Sequence, residues 1–248
     1  GYHSDGWLLL INGVQSSHVI VGQPRMLDFE YMRWFVAVLD SHIQTHLNPE
    51  KLRITHLGGG ACSLARYCAD VYPNSRNTVV ELDAKLAEYV REWFDIPKSP
   101  RVKIRVGDAG TVTRSFAPAS RDVVIRDVFA VDKTPAELTS VDFVREVDQS
   151  LAPGGLYILN CGDDRALNAA RAEAAALLEV FAYVSIVADS AMLKGRRRGN
   201  IILAGSHVPL PQLGSAEAAS ISRVLMGGGV PAQYWDTEKV RVFARKGA

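Results

Sequence analysis

The chain has 248 residues, 48% of them hydrophobic, which is enough for one generous domain, or one domain with a small appendage, around a continuous core. Its 28 basic and 27 acidic residues leave a net charge of +1, too little to create the long-range field that nucleic acids or acidic membranes select. With three cysteines (Cys62, Cys68, Cys161), no CxxC pair and no apolar run near the ~18 residues of a membrane span, the expectation is a cytoplasmic protein with neither nucleic acid nor membrane as partner.

The sequence opens almost directly on an apolar run, Trp7 to Ile11, which leaves room for native residues upstream of Gly1. Asn12-Gly13 suits a type I′ turn, and Val14 to Val21 continues with β-branched residues, so a β-hairpin is expected. From Leu27 to Leu47 the apolar residues recur at helical spacing and Asn48-Pro49 closes the run. Strand and helix then alternate. Strands are expected at Arg53 to Leu57, Thr78 to Leu82, Val102 to Val106, Asp122 to Ile125 and Gly155 to Asn160, with helices at Ala61 to Val71, Ala84 to Phe94 and Val141 to Leu151. Such alternation specifies a mostly parallel sheet covered on both faces. After an alanine-rich helix reaching about Phe181, Tyr183 to Val187 and Asn200 to Ala204 read as an antiparallel pair across the basic loop Lys194 to Gly199. The tail carries a helix near Ala216 to Met226 and a last amphipathic piece around Lys239. The reading is thus a hairpin element over 1–26, followed by a seven-stranded Rossmann-like domain over 27–248.

In open α/β sheets a ligand sits beyond the carboxyl ends of the strands, near the point where strand order reverses. After the first parallel strand comes Gly58-Gly59-Gly60-Ala61, where glycines allow backbone to approach a ligand closely, although a tight strand-to-helix turn alone would also use them. The second strand ends in Glu81-Leu82-Asp83, and Glu81 stands about 21 residues after Gly60, near the spacing of a ribose-binding acid. The third ends in Gly107-Asp108-Ala109, where an acid could accept an adenine amine, and the fourth in Arg126-Asp127. One acid at a strand end is commonly a helix cap. Three acids at successive strand ends behind a glycine turn point to a nucleoside site.

The order Asn12-Gly13-Val14-Gln15, Gly58-Gly59-Gly60, Val80-Glu81-Leu82-Asp83, Gly107-Asp108-Ala109, Asp122 to Ile125 with Asp127, and Leu151-Ala152-Pro153-Gly154-Gly155 resembles spermidine synthases over roughly residues 7 to 205. The resemblance implies a class I methyltransferase-like fold and aminopropyl transfer from decarboxylated S-adenosylmethionine to an amine such as putrescine, with no metal, and the exposed strands of the hairpin suggest a homodimer contact. It implies ribose binding by Glu81, adenine binding by Asp108, a nucleoside-side position for Gln15, and catalysis by Asp127. Gly58, Gly60, Asp83 and Ala109 join the nucleoside site. The sequence departs from the family pattern at Ala61, where an acid is expected, at the loop Asp127 to Asp132, whose second acid is displaced by two residues, and at Phe29-Glu30-Tyr31. Asp132 is the candidate second catalytic acid. The missing acid at Ala61 keeps open a methyltransferase using intact S-adenosylmethionine, and the incomplete acidic loop keeps open a nucleoside-binding homologue without catalysis.

Other features are read structurally. His42 and His46 are four apart but lack a third metal ligand and are expected at the surface or an interface. Arg196-Arg197-Arg198 reads as a solvated turn, Cys62 as a helix-start cysteine without a partner base, and Trp34, Phe35, Trp93 and Phe94 as core.

Overall fold

A computed structural model gives the fold and describes residues 4–130 and 133–245. Strands β1 (Trp7–Ile11) and β2 (Val14–Val19) pair antiparallel with Ile11 opposite Val14. Between them Asn12 and Gly13 both take positive φ, 50° and 78°, as a type I′ turn requires. Helix α1 (Glu30–His46) follows and buries Trp34, Phe35, Val38, Leu39 and Ile43, the stripe expected from the 3.6-residue period.

The alternating part begins with β3 (Arg53–Leu57), α2 (Ser63–Val71), β4 (Arg76–Glu81), α3 (Ala84–Trp93) and β5 (Val102–Val106). It continues through α4 (Ala109–Arg114), β6 (Arg121–Arg126), α5 (Val141–Ser150), β7 (Leu151–Asp163) and α6 (Asn168–Val180). The chain then forms β8 (Tyr183–Asp189), α7 (Ser190–Leu193), β9 (Gly199–Ser206), α8 (Ala216–Met226), β10 (Ala232–Trp235) and α9 (Thr237–Arg245). The sheet order is β10-β8-β9-β7-β6-β3-β4-β5. Pairing is parallel from β7 to β5 and antiparallel among β7, β9, β8 and β10.

All seven expected strands are present, and β10 adds an eighth at the edge beside β8. Four residues after a glycine run are too short to show a strand period, so only pairing with β8 reveals this one. Helix α4 was equally hidden, because its six residues follow Asp108 without an apolar repeat.

The chain lays β3, β4 and β5 outward in one direction and then returns to place β6 on the other side of β3. That reversal opens a crevice at the carboxyl ends of β3 and β6, where neighbouring connections leave in opposite directions. The strands below it are fully buried at Ile54, Leu57, Val123, Val124, Leu156 and Ile158, so the rim stands on a rigid floor.

Two expectations are corrected. Trp93 is not core: it is 52% exposed and stacks on Tyr89 across the outer face of α3, whereas Trp34, Phe35 and Phe94 are buried. The apolar spacing on α3 was real, but its inward face is carried by Ala87 and Val90. His42 is not at the surface either. It is buried between α1 and the β7 turn, with Nε2 2.8 Å from the Gly154 carbonyl, and burial lowers its pKa to about 4. In the basic loop, Arg197 pairs with Asp189 at 2.5 Å.

Candidate active site

The glycine turn is built by close approach. Gly58 has φ +90°, and a Cβ there would lie 2.3 Å from the Asp127 carbonyl oxygen, so backbone of the two strand ends touches where any side chain would intrude. Gly60 has φ +47°, and its Cβ would lie 2.6 Å from Ser17 Oγ. The same Ser17 hydroxyl accepts the Ala61 N–H at 3.0 Å, which docks the hairpin on the turn. Glu81 braces the turn from β4: its Oε2 accepts the Gly59 and Gly60 N–H groups at 3.0 and 3.3 Å, and Oε1 accepts Asp83 N–H at 2.9 Å.

These elements enclose a cleft of ≈ 690 Å³. Gln15, Gly58, Gly60, Glu81, Asp83, Asp108, Ala109 and Asp127 all line it: parallel-sheet topology gathers the residues from Gly58 to Asp127, and the separate hairpin brings Gln15. Asp132 lies outside the described residues. Asp83 and Asp108 also cap helices: Asp83 Oδ1 accepts the Lys85 and Leu86 N–H groups, and Asp108 Oδ1 accepts Thr111 N–H at 2.7 Å. The Thr111 N–H bond draws the Asp108 carboxyl below the usual aspartate range.

Asp127 stands at the deep end. Its Oδ2 accepts Tyr31 O–H from α1 at 3.1 Å, and its Oδ1 accepts Asn160 Nδ2–H from β7 at 2.9 Å. The Asn160 amide also donates to Asn200 Oδ1 at 3.2 Å. Burial raises the Asp127 carboxyl, while Asn160, Tyr31 and the Arg126 guanidinium pull it back down. The group is therefore a fixed carboxylate with a strengthened hold on a proton, facing a cleft.

With this geometry in view, comparison with known proteins decides the family: the spermine/spermidine synthase domain matches residues 38–177. The chain belongs to the spermine/spermidine synthase family. It is 60% identical to a probable spermidine synthase from Corynebacterium glutamicum ATCC 13032, covering 98% of this chain and 87% of that one with a TM-score of 0.95. It is 27% identical to a polyamine aminopropyltransferase of Vibrio vulnificus over 56% of this chain and 45% of that protein. It is 33% identical to the mouse eEF1A lysine and N-terminal methyltransferase over 47% of this chain and 18% of that one. The chain thus spans less than half the length of these two curated relatives.

Within this family member, Tyr31, Asn160 and Asn200 are cleft residues whose part the sequence reading missed. Asn160 carried a signal, since it ends the expected fifth strand, Gly155 to Asn160, much as Glu81 and Asp127 stand at the ends of theirs. Asn200 carried none: it begins an antiparallel strand and reaches the cleft only because its partner β7 runs long. Cys62 lines the cleft but is buried at the start of α2, and burial pushes its thiol up to about 12, so it offers no thiolate. Among the described residues no group of three or more His, Cys, Asp or Glu side chains is placed to hold a metal ion.

Proposed function

We propose that this chain transfers an aminopropyl group from decarboxylated S-adenosylmethionine to a small amine, with Asp127 as the catalytic carboxylate. The observation that carries this reading is the placement of Asp127: a carboxylate held by Tyr31 and Asn160 at the end of β6, directly beside a glycine turn whose backbone admits no Cβ. Family membership and the similarity to a probable spermidine synthase support it. The glycine cradle and Glu81 suit the nucleoside end, where Gln15 and Asp108 would flank ribose and adenine. Residues 27–248 would form the nucleoside-binding domain and residues 1–26 its hairpin cover.

Bound there, the sulfonium supplies an electrophilic propyl carbon and a thioether leaving group. An alkylamine with pKa near ~10.4 enters mostly as ammonium at neutral pH, so it must be held and deprotonated before it can attack. Asp127 would do both. Its carboxylate pairs with the ammonium, and its raised pKa makes it a stronger base than an exposed aspartate. As the C–N bond forms and the C–S bond breaks, the electron pair of the broken bond stays on sulfur and the proton from nitrogen passes by way of Asp127 to solvent. Tyr31 and Asn160 donate to the carboxylate and keep it aimed while its charge changes.

A second reading, methyl transfer from intact S-adenosylmethionine, is favoured by Ala61. This residue is buried and places no acid where the ligand's carboxylate would lie, and a methyltransferase stands among the curated relatives. Calorimetric titration with methylthioadenosine, decarboxylated S-adenosylmethionine and intact S-adenosylmethionine separates the two. Tighter binding of the first two, followed by amine-dependent release of methylthioadenosine, is the expected outcome. Preference for the intact compound overturns it in favour of methyl transfer, and absence of binding points to a homologue without catalysis. The exposed side chains of Trp7, Leu10 and Val14 support a homodimer through the hairpin, which light scattering showing only monomer would refute.

A further inference from the structure

Beside Asp127 sits a charge that the chemistry above does not use. Arg126 closes β6 with no exposed surface, and its Nη2 pairs at 2.5 Å with Glu173 of α6, which is itself buried. An ion pair taken this far from water gains little stability over well-packed apolar residues, so its presence calls for a geometric reason. The guanidinium supplies one. Nη1 donates to the Leu138 carbonyl at 2.7 Å, and Nη2 also approaches the Asn160 carbonyl at 3.4 Å.

These two carbonyls belong to different elements that line the cleft. Asn160 is on β7 and holds Asp127 through its own amide. Leu138 belongs to the 3₁₀ turn Ala136–Thr139, which lines the cleft together with Pro135. Its Cδ2 packs against the start of α4, 3.6 Å from where a Cβ on Gly110 would stand, beside the Asp108 carboxylate. The planar fork of an arginine can bridge such a set of acceptors, whereas a lysine presents a point charge. We propose that Arg126 is a positioning residue: anchored on Glu173, it ties the 3₁₀ turn at Leu138 to β7 at Asn160 and thereby holds the lining of the cleft beside Asp108 in shape.

The consequence for ligand binding rests on the nucleoside reading given above; the mechanical role does not. Because Arg126→Ala would strand Glu173 in the core, the informative protein is the double variant Arg126→Met with Glu173→Leu, which removes both charges together. Arg126→Lys serves as its companion, keeping the charge and losing the fork. In the folded double variant, hydrogen exchange of backbone amides in 133–140 should speed up at least about tenfold, as loss of a charge-assisted bond predicts, with β6 and α6 unchanged. The KM for the nucleoside co-substrate should rise about tenfold while kcat, compared on the high-pH plateau where Asp127 is ionised in both proteins, changes less than threefold, the split expected for lost ground-state binding. Arg126→Lys should fold normally and show the same direction of change in both measurements. Wild-type exchange over 133–140 together with wild-type KM in a folded double variant would overturn the proposal, leaving Arg126 a structural ion pair. If the wild-type protein binds no nucleoside, the functional reading fails and the exchange measurement alone decides the role of Arg126.

Discussion

Gly58→Ala is the sharpest probe of how the cleft is made. The new Cβ would stand 2.3 Å from the Asp127 carbonyl oxygen and 2.9 Å from its carbon, where real Cβ contacts essentially never fall below 3.0 Å. The Asp127 peptide must therefore retreat by about 0.7 Å, as overpacked backbone does when it cannot interpenetrate. It cannot retreat freely, because Asp127 N–H is bonded to the Leu57 carbonyl at 2.9 Å. Left-handed strain at φ +90° adds about 1–2 kcal/mol, and the overlap about 1–3 kcal/mol, for a total loss of stability of about 2–5 kcal/mol. A displacement approaching 1 Å at a reacting group costs on the order of 10²-fold in rate. Gly22→Ala is the control: φ is +76° there, yet a Cβ would meet nothing within 4 Å, so it should show the strain alone. Urea unfolding and amine-dependent release of the nucleoside thioether measure both effects. A Gly58→Ala protein no less stable than Gly22→Ala, with wild-type turnover, would refute the close-approach account of the turn.

Asp127→Asn should lower kcat by about 10²–10⁴-fold while nucleoside affinity, read by calorimetry, stays within threefold. Because burial raises the Asp127 carboxyl, activity should appear only as pH rises through a value above the ordinary aspartate range, and kcat/KM against pH should show that displaced acid limb. The same shift has the opposite sign for folding: an acid raised in the folded state stabilises it below the unfolded pKa and loses that contribution as pH rises through the folded one. Glu81→Ala should weaken every adenosine ligand about tenfold or more, since it removes the proposed ribose acceptor and strands the N–H groups of Gly59, Gly60 and Asp83; a calorimetric Kd equal to wild type would count against it.

The alternation of strand and helix, the Asn12-Gly13 hairpin and the acids at strand ends were legible in the sequence because each rests on local chemistry. The period of apolar residues sets helix or strand, positive φ selects Asn and Gly, and parallel pairing brings consecutive strand ends to one rim. Glu81, Asp108 and Asp127 could be singled out on that basis, and Gln15 only through the resemblance of the Asn12-Gly13-Val14-Gln15 hairpin. Trp93 shows where the reasoning stops. Helical spacing assigns a stripe, but which of two apolar stripes faces the sheet is set by packing, and on α3 the aromatic one faces outward. Likewise Ala61 could be seen to lack an acid, but nothing local showed that its N–H holds the hairpin through Ser17.

The sequence by itself determined the architecture and the rim on which the chemistry lies, since both follow from periodicity and from the order of strands. Tertiary structure alone decided how Asp127 is held, that Glu81 braces the turn as well as facing the cleft, and that the Arg126 guanidinium meets the carbonyls of both Leu138 and Asn160. Each of these depends on groups 12 to 96 residues apart whose separation is fixed by sheet order and backbone contact, and a linear pattern carries no record of such distances.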